Sequence, residues 1–451
     1  MMKKTDVLII GGSASGVVTA ITGKNQYPDK EFLIIRREDE VLVPCGIPYV
    51  FGSLESSNQN LISDGPLKNS GVQIMIGEVV SIDYQKKICK TAGDEEIGFE
   101  KLVMATGSSP KMPDKITGID LENVFTVPKN KVYLDTILEK MQTAQKIVII
   151  GGGFIGVELS DELHKKGKDV TIVEVLPHLL AAVFDDDMSV EVEQTLAGHG
   201  VSVKTGIAVK EITGDSKAAG VILQNGETLP ADAVFLCIGY KPNTELAAKS
   251  GIVVNSKGFI KVDEYMRTDK QDIFAVGDCA ENRDFITRKI ITPMLASTAC
   301  AEARTVGLNL YRLSTVKTFN GTISIFSTVI GDRCFAVAGI TEKIAAKEGF
   351  YTVAAAFKGM DKHPGNLPGM HAQTVKLIVS KDSGVILGTG ISGGFSIGEL
   401  INVAGLAIQN RMTVNSLLTT QIGTHPLLTG PPTAYPLIKA AEAALKKIKQ
   451  S

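Results

Sequence analysis

The sequence predicts an α/β protein with two doubly wound nucleotide-binding domains and a C-terminal α+β domain. Three observations predict it. A short aliphatic run at residues 6–10 feeds directly into Gly11-Gly12-Ser13-Ala14-Ser15-Gly16. The arrangement recurs 140 residues later, where residues 146–150 feed into Gly151-Gly152-Gly153-Phe154-Ile155-Gly156. Beyond about Thr318 such loops stop, and alternating strands precede a helix near 397–410.

The elements follow in order from their composition. Buried strands are expected at 7–10, 32–35, 102–105, 147–150, 170–173, 234–237 and 273–276, each a β-branched or aliphatic run closed by Gly, Asp, Glu or a turn. Runs apolar on both faces belong to parallel sheets covered by helices, which are expected between them at 156–166 and 188–199. Residues 268–279 read as a strand returning to the first sheet. The division that follows is 1–112 and 247–317 for the first nucleotide domain, 113–246 for the second inserted within it, and 318–451 for the third. The α+β character of the last comes from alternating strands at 322–329 and 374–379.

Length and charge exclude other classes. The chain has 451 residues, suited to two or three domains. A net charge of −2 offers no electrostatic case for nucleic acid or an anionic membrane. Six cysteines with no C-x-x-C pair make no disulfide scaffold. The apolar stretch at 7–10 is too short for a signal peptide, and no run approaches the roughly 20 residues of a membrane helix. A cytoplasmic location is the expectation.

Each glycine loop suits a pyrophosphate, because a tight strand-to-helix turn aims backbone N–H groups and a helix N-terminus at it. In the first loop Gly11 and Gly16 supply two glycines and Ser13 replaces the middle one; an ordinary strand–helix turn is the competing explanation. The acidic residue expected at the end of the second strand is missing, since Ile35 and Arg36 stand there; Glu38 is the nearest carboxylate to a ribose. The second loop is complete, with Gly151, Gly153 and Gly156, and Glu174 follows Gly151 by 23 residues. A carboxylate at that spacing accepts from adenosine ribose hydroxyls and repels a 2′-phosphate, so NADH is expected over NADPH. A solvated strand end is the plainer alternative for Glu174.

Three further segments join the two loops: Ala105-Thr106-Gly107-Ser108-Ser109-Pro110, Cys237-Ile238-Gly239-Tyr240-Lys241-Pro242-Asn243 and Ile273-Phe274-Ala275-Val276-Gly277-Asp278-Cys279. With these five segments in order, the chain resembles the flavin-dependent pyridine nucleotide-disulfide oxidoreductases over essentially its whole length. The resemblance implies FAD at the first loop, with Gly11, Ser13, Ala14, Ser15, Gly16, Arg36, Pro44, Ala105, Thr106, Gly107, Gly277, Asp278 and Ser297 around it. Asp278 takes the ribityl chain, and a helix beginning near 292–297 points its N-terminus at the flavin. NADH falls to Gly151, Gly153, Phe154, Ile155, Gly156, Glu174 and Gly239, and the C-terminal domain is expected to form a homodimer.

Within the family, Val43-Pro44-Cys45-Gly46-Ile47-Pro48-Tyr49 resembles the single-cysteine branch of NADH oxidases and peroxidases, coenzyme A disulfide reductases and persulfide or polysulfide reductases. Dithiol members carry a second cysteine where Val50 stands here. A thiolate over a flavin and near a helix N-terminus is expected to have a lowered pKa. A buried structural thiol is the alternative for Cys45 and the expectation for Cys89, Cys237, Cys279, Cys300 and Cys334.

Thr424-His425-Pro426-Leu427 resembles the segment that the partner subunit brings to the cysteine, although Gly430 stands where dithiol reductases carry a glutamate. His425 and Tyr435 are candidate catalytic contacts, with packing the alternative for both. Ser13, Ala14 and Ser15 lack the histidine of peroxide-handling members. Asn366-Leu367-Pro368-Gly369 lacks the tyrosine common in coenzyme A disulfide reductases. No metal is expected, because His363 and His371 have no third ligand nearby. The expected activity is electron transfer from NADH through FAD and Cys45 to a small disulfide, persulfide or polysulfide. The alternatives are an NADH oxidase that reduces O2 to peroxide or water, and a flavoprotein serving a protein acceptor.

Overall fold

The computed structural model describes residues 2–316 and 320–450, so the expected division between 317 and 318 lies outside the described residues. A parallel sheet forms from Gln73–Ile76, Phe32–Arg36, Lys3–Ile10, Glu96–Met104 and Ile273–Ala275, in that spatial order. Val7, Leu8 and Ile9 are fully buried, as a strand covered on both faces requires. Each such side chain contributes about 1.5–3 kcal/mol on burial. Ile273–Ala275 joins this sheet in register with Leu102–Met104, although the whole second sheet intervenes in the sequence.

The second sheet, all parallel, runs Ser202–Lys204, Asp169–Val173, Lys146–Ile150, Ala233–Leu236, Val124–Thr126. The chain crosses between the two sheets twice, at Ser108–Pro110 and Tyr240–Pro242, and these crossings pair antiparallel. Asn243 ties them further: its N–H donates to Gly107 O, and its side-chain amide donates to Thr106 O. Two of the expected motifs therefore form one hinge.

The C-terminal sheet has five antiparallel strands in the order Phe326–Ile330, Arg333–Gly339, Ile386–Gly393, Ala372–Ser380, Thr352–Met360. Helix Pro436–Gln450 lies against it through Leu437, Ala440, Ala441 and Ala444, a spacing that puts all four on one face. The strand expected at 322–329 starts only at Phe326; Thr322 instead makes an isolated bridge to Asp284. Ile386–Gly393 was not expected, since its three glycines mask the strand pattern. They have a physical reason at Gly388, where a Cβ would fall 1.8 Å from Ile340 O.

Candidate active site

The two glycine loops share the backbone features that a tight strand-to-helix turn requires. Gly11 and Gly151 take φ of +115° and +112°, a region closed to residues with a Cβ. A Cβ on Gly11 would lie 2.0 Å from Ala105 O, and one on Gly151 2.4 Å from Cys237 O. Gly16 and Gly156 abut the carbonyls of Gly11 and Gly151 at 1.9 and 2.0 Å by the same measure. Both first-glycine N–H groups donate to the neighbouring strand at 2.8 Å, to Ile35 O and Val173 O. Helices Ala14–Gln26 and Phe154–Lys165 then begin with their N-termini at the loops.

This register makes Arg36 the counterpart of Glu174. Glu174 is buried, with Oε2 accepting from Gly152 N at 2.6 Å and Oε1 from Leu176 N at 2.7 Å. A carboxylate has about four acceptor positions, so room remains for ribose hydroxyls. Arg36 lies beneath Gly12 and forks onto Asp64 at 2.7 and 2.9 Å, with Nε and Nη2 also donating to the carbonyls of Glu38 and Asp39. Its donors are directed into the protein, and it holds Asp64 below the usual carboxylate range. Glu38 has its carboxylate 3.8 Å from Arg37 Nε.

Asp278 stands at the hinge between the sheets. Its Oδ2 accepts from Ser108 Oγ at 2.6 Å and pairs with Lys129 Nζ at 2.7 Å. Lys129 also lies 5.7 Å from the centre of the Tyr240 ring. Gly107 and Gly239, with φ of +69° and +97°, have no atom within 4 Å of an added Cβ among the described residues, so both face open space.

Cys45 sits in a single turn, Pro44–Gly46, and is the exposed thiol among the described cysteines. The charges acting on it come from Glu158, Lys129, Asp278 and Cys300, elements of both nucleotide domains. The expected lowering of its pKa is corrected here. The surrounding protein mass pushes the thiol up even though part of its surface is open, Glu158 adds to the rise, and Lys129 opposes it. Cys45 lies within the short 3-10 turn Pro44–Gly46 rather than at the start of an α-helix. The other five cysteines are buried or half-buried; Cys300 is half-buried and close enough to act on Cys45.

Sequence reasoning missed Lys129, Glu158 and Tyr49. Glu158 follows the second loop by half a turn of helix; burial pushes it up to about 7, while Thr328 Oγ donates to it at 2.9 Å. Tyr49 is pushed up by burial beside Glu158 and Glu162. The available signal was a run of acids, Glu158, Asp161 and Glu162, on a helix otherwise packed inward. Asp161 and Glu162 are buried and share Lys165, each at 2.7 Å.

Other expected residues lie elsewhere. The Phe154 ring stacks on Phe326 at 5.1 Å and meets Phe184 edge-on, so it packs against the C-terminal domain. Ser297 is exposed in the first turn of Ala296–Asn309. His425 is exposed, with Nδ1 accepting from Leu427 N at 3.2 Å. Tyr435 packs on the C-terminal core. Within one chain neither joins Cys45. At Gly430 a Cβ would fall 2.7 Å from Met360 O, so the glutamate of dithiol reductases has no room.

Two paired Rossmann-type sheets, a cysteine at their junction and an antiparallel C-terminal sheet define a two-nucleotide oxidoreductase. The chain belongs to the pyridine nucleotide-disulphide oxidoreductases: residues 5–303 match that family, and residues 325–434 match its dimerisation domain. An NADH oxidase of Enterococcus faecalis is 30% identical across 98% of this chain and 100% of its own. An NAD(P)H coenzyme A polysulfide/persulfide reductase of Pyrococcus horikoshii is 29% identical across 92% and 94%. The structure of an NAD-dependent persulfide reductase from A. fulgidus overlays with a TM-score of 0.91 at 30% identity, covering 99% of this chain and 84% of that one. The protein is an FAD-dependent NAD(P)H oxidoreductase. Its residues fit both dinucleotides: each loop is a cradle that a Cβ would fill, and open space adjoins Gly107, Gly153 and Gly239.

Proposed function

We propose that this enzyme oxidises NADH and delivers the electrons through Cys45 to a small disulfide, persulfide or polysulfide, as a coenzyme A disulfide reductase does. The observation that carries this reading is Cys45 itself, an exposed thiol within electrostatic reach of Glu158, Lys129 and Asp278. In this reading Gly11, Ser13, Ala14, Ser15, Gly16, Pro44, Ala105, Thr106, Gly107, Gly277, Asp278 and Ser297 hold FAD. Arg36 braces the loop from below. Gly151, Gly153, Phe154, Ile155, Gly156, Glu174 and Gly239 hold NADH, within a domain spanning 113–246.

FAD supplies the two-electron relay between nicotinamide and sulfur. The Cys45 thiol gives up its proton to Glu158 as its sulfur attacks one sulfur of the substrate disulfide, forming a mixed disulfide and expelling the other sulfur as a thiolate. Glu158, raised to about 7, passes that proton to the departing thiolate. Two electrons from NADH and one more proton then release the second thiol and restore Cys45. No internal thiol stands five positions on to take the place of substrate, since Val50 occupies that position.

Dimerisation completes the site in this proposal. Phe395, Val403, Leu406, Leu427 and Leu428 are large apolar side chains exposed on the C-terminal domain, and a second copy is their occupant. Exposed His425 then serves the partner's cysteine, whereas Tyr435 packs. A reducing, cytoplasmic setting suits six unpaired cysteines. No helix among the described residues is long and apolar enough to cross a membrane.

The Enterococcus relative favours a second reading, an NADH oxidase that delivers electrons to oxygen. Anaerobic reduction by NADH, followed separately by coenzyme A disulfide, coenzyme A persulfide, polysulfide or air, separates the two. Fast reoxidation by a sulfur acceptor that is lost in Cys45→Ser is expected. Fast reoxidation by air alone would establish the oxidase instead.

A further inference from the structure

The segment that carries Cys45 belongs to the first nucleotide domain in sequence but packs in the core of the second. Leu42, Ile47 and Phe51 are buried together with Phe125, Ile149, Val157 and Phe235, whereas the preceding strand Phe32–Arg36 supplies the first core. The Phe51 ring meets Phe235 edge-on at 5.7 Å. Apolar burial draws the segment there, but it is non-directional and does not by itself fix an orientation.

Two carboxylates of the second domain supply the direction. Glu162 is buried on helix Phe154–Lys165, one turn beyond Glu158 and on the same face. Its Oε2 accepts from Ser53 N, and its Oε1 accepts from Ser53 Oγ at 3.0 Å. Lys165 pairs with it at 2.7 Å, and bonds to a paired carboxylate are of the stronger, charge-assisted kind. Gly52 permits the close approach, since a Cβ there would fall 2.5 Å from Glu162 O. Four residues on, the buried Ser57 donates from Oγ to Asp135, which sits on helix Lys131–Met141 and pairs with Lys131 at 3.0 Å. The helix that holds Ser53 also begins at the second glycine loop. One helix thus carries the NADH loop, Glu158 and the anchor of the Cys45 segment.

We propose that Glu162 is a positioning residue: through Ser53 it holds the Cys45 turn in register with the helix that starts at the NADH loop, and so sets the rate at which Cys45 reacts. The inference rests on the reading that Cys45 passes the electrons to sulfur. Attack by Cys45 is sensitive to displacements of about an ångström. Reduction of the flavin by NADH does not use the Cys45 sulfur, so the two halves of turnover respond differently when the anchor is cut.

Stopped-flow flavin absorbance on the FAD-loaded enzyme reads the two halves separately. Glu162→Leu removes both acceptors. It is expected to be reduced by NADH at the wild-type rate and to be reoxidised about tenfold more slowly by the fastest of coenzyme A disulfide, coenzyme A persulfide and polysulfide. Glu162→Gln keeps a carbonyl for Ser53 N and an amide facing Ser53 Oγ, and is expected to reoxidise at close to the wild-type rate. Gly52→Ala leaves every polar partner in place but drives the segment off the helix, and is expected to show the same split as Glu162→Leu; where Glu162→Leu fails to fold, it decides. Unchanged reoxidation in these two variants, or equal slowing of both half-reactions, overturns the proposal. Wild-type reduced enzyme that no sulfur acceptor reoxidises overturns the reading beneath it, and is distinguishable because it shows without any variant.

Discussion

The two glycine loops share a backbone and differ at the residue that closes the second strand of each unit. Steric closure fixes the shared part: an added Cβ at Gly11 or Gly151 would overlap a carbonyl of the neighbouring strand. The strand-end residue is Arg36 in one copy and Glu174 in the other, at equivalent register. Glu174 turns back onto its own loop through Gly152 N, whereas Arg36 turns away onto Asp64. In the proposed reading the shared glycines cradle a pyrophosphate in each copy, and the carboxylate at the second strand end meets the NADH ribose. A second difference lies two residues past each loop's last glycine, where Val18 in one copy is Glu158 in the other.

Giving the second copy the charge of the first is the sharpest challenge. Glu174→Arg is expected to lower kcat/KM for NADH about a hundredfold and to raise NADPH turnover, because the arginine attracts a 2′-phosphate. Steady-state kinetics with both cofactors checks it; unchanged selectivity breaks the comparison at its strand-end claim.

The buried acid gives a smaller effect with a definite sign. Glu158 is raised from 4.5 to about 7 in the folded chain, so folding favours its protonated form. That stability is fully present below about pH 4.5 and is lost as pH rises through about 7. Glu158→Gln, which keeps the Thr328 contact, is expected to be more stable than wild type by about 2 kcal/mol at pH 8 and equal at pH 4.5. Thermal unfolding of the apoproteins at the two pH values reads it. With the Glu158 charge gone, Cys45 is expected to alkylate about threefold faster at pH 8.

The loops were legible in the sequence because their demands are local: a buried strand, a positive φ and a close carbonyl. The returning strand at Ile273–Ala275 was legible from its aliphatic run. Lys129 was not, since its partner Asp278 lies 149 residues away, and neither was the bond between Glu158 and Thr328, 170 residues apart. The lowered thiol pKa expected at Cys45 failed for a related reason. The sequence motif does not carry the positions of Glu158 and the surrounding mass, which raise it. Strand Ile386–Gly393 stayed hidden because glycines interrupt its pattern, and Gly388 serves close backbone approach rather than a turn.

In the proposed mechanism each loop cradles its own dinucleotide. Its most direct test is the purified FAD content of Gly11→Ala and Gly151→Ala, together with the loss of flavin absorbance on anaerobic NADH addition. Gly11→Ala, where it folds, is expected to carry no FAD. Gly151→Ala should retain FAD yet fail to be reduced by NADH. Full FAD in Gly11→Ala, or rapid NADH reduction of Gly151→Ala, would contradict it.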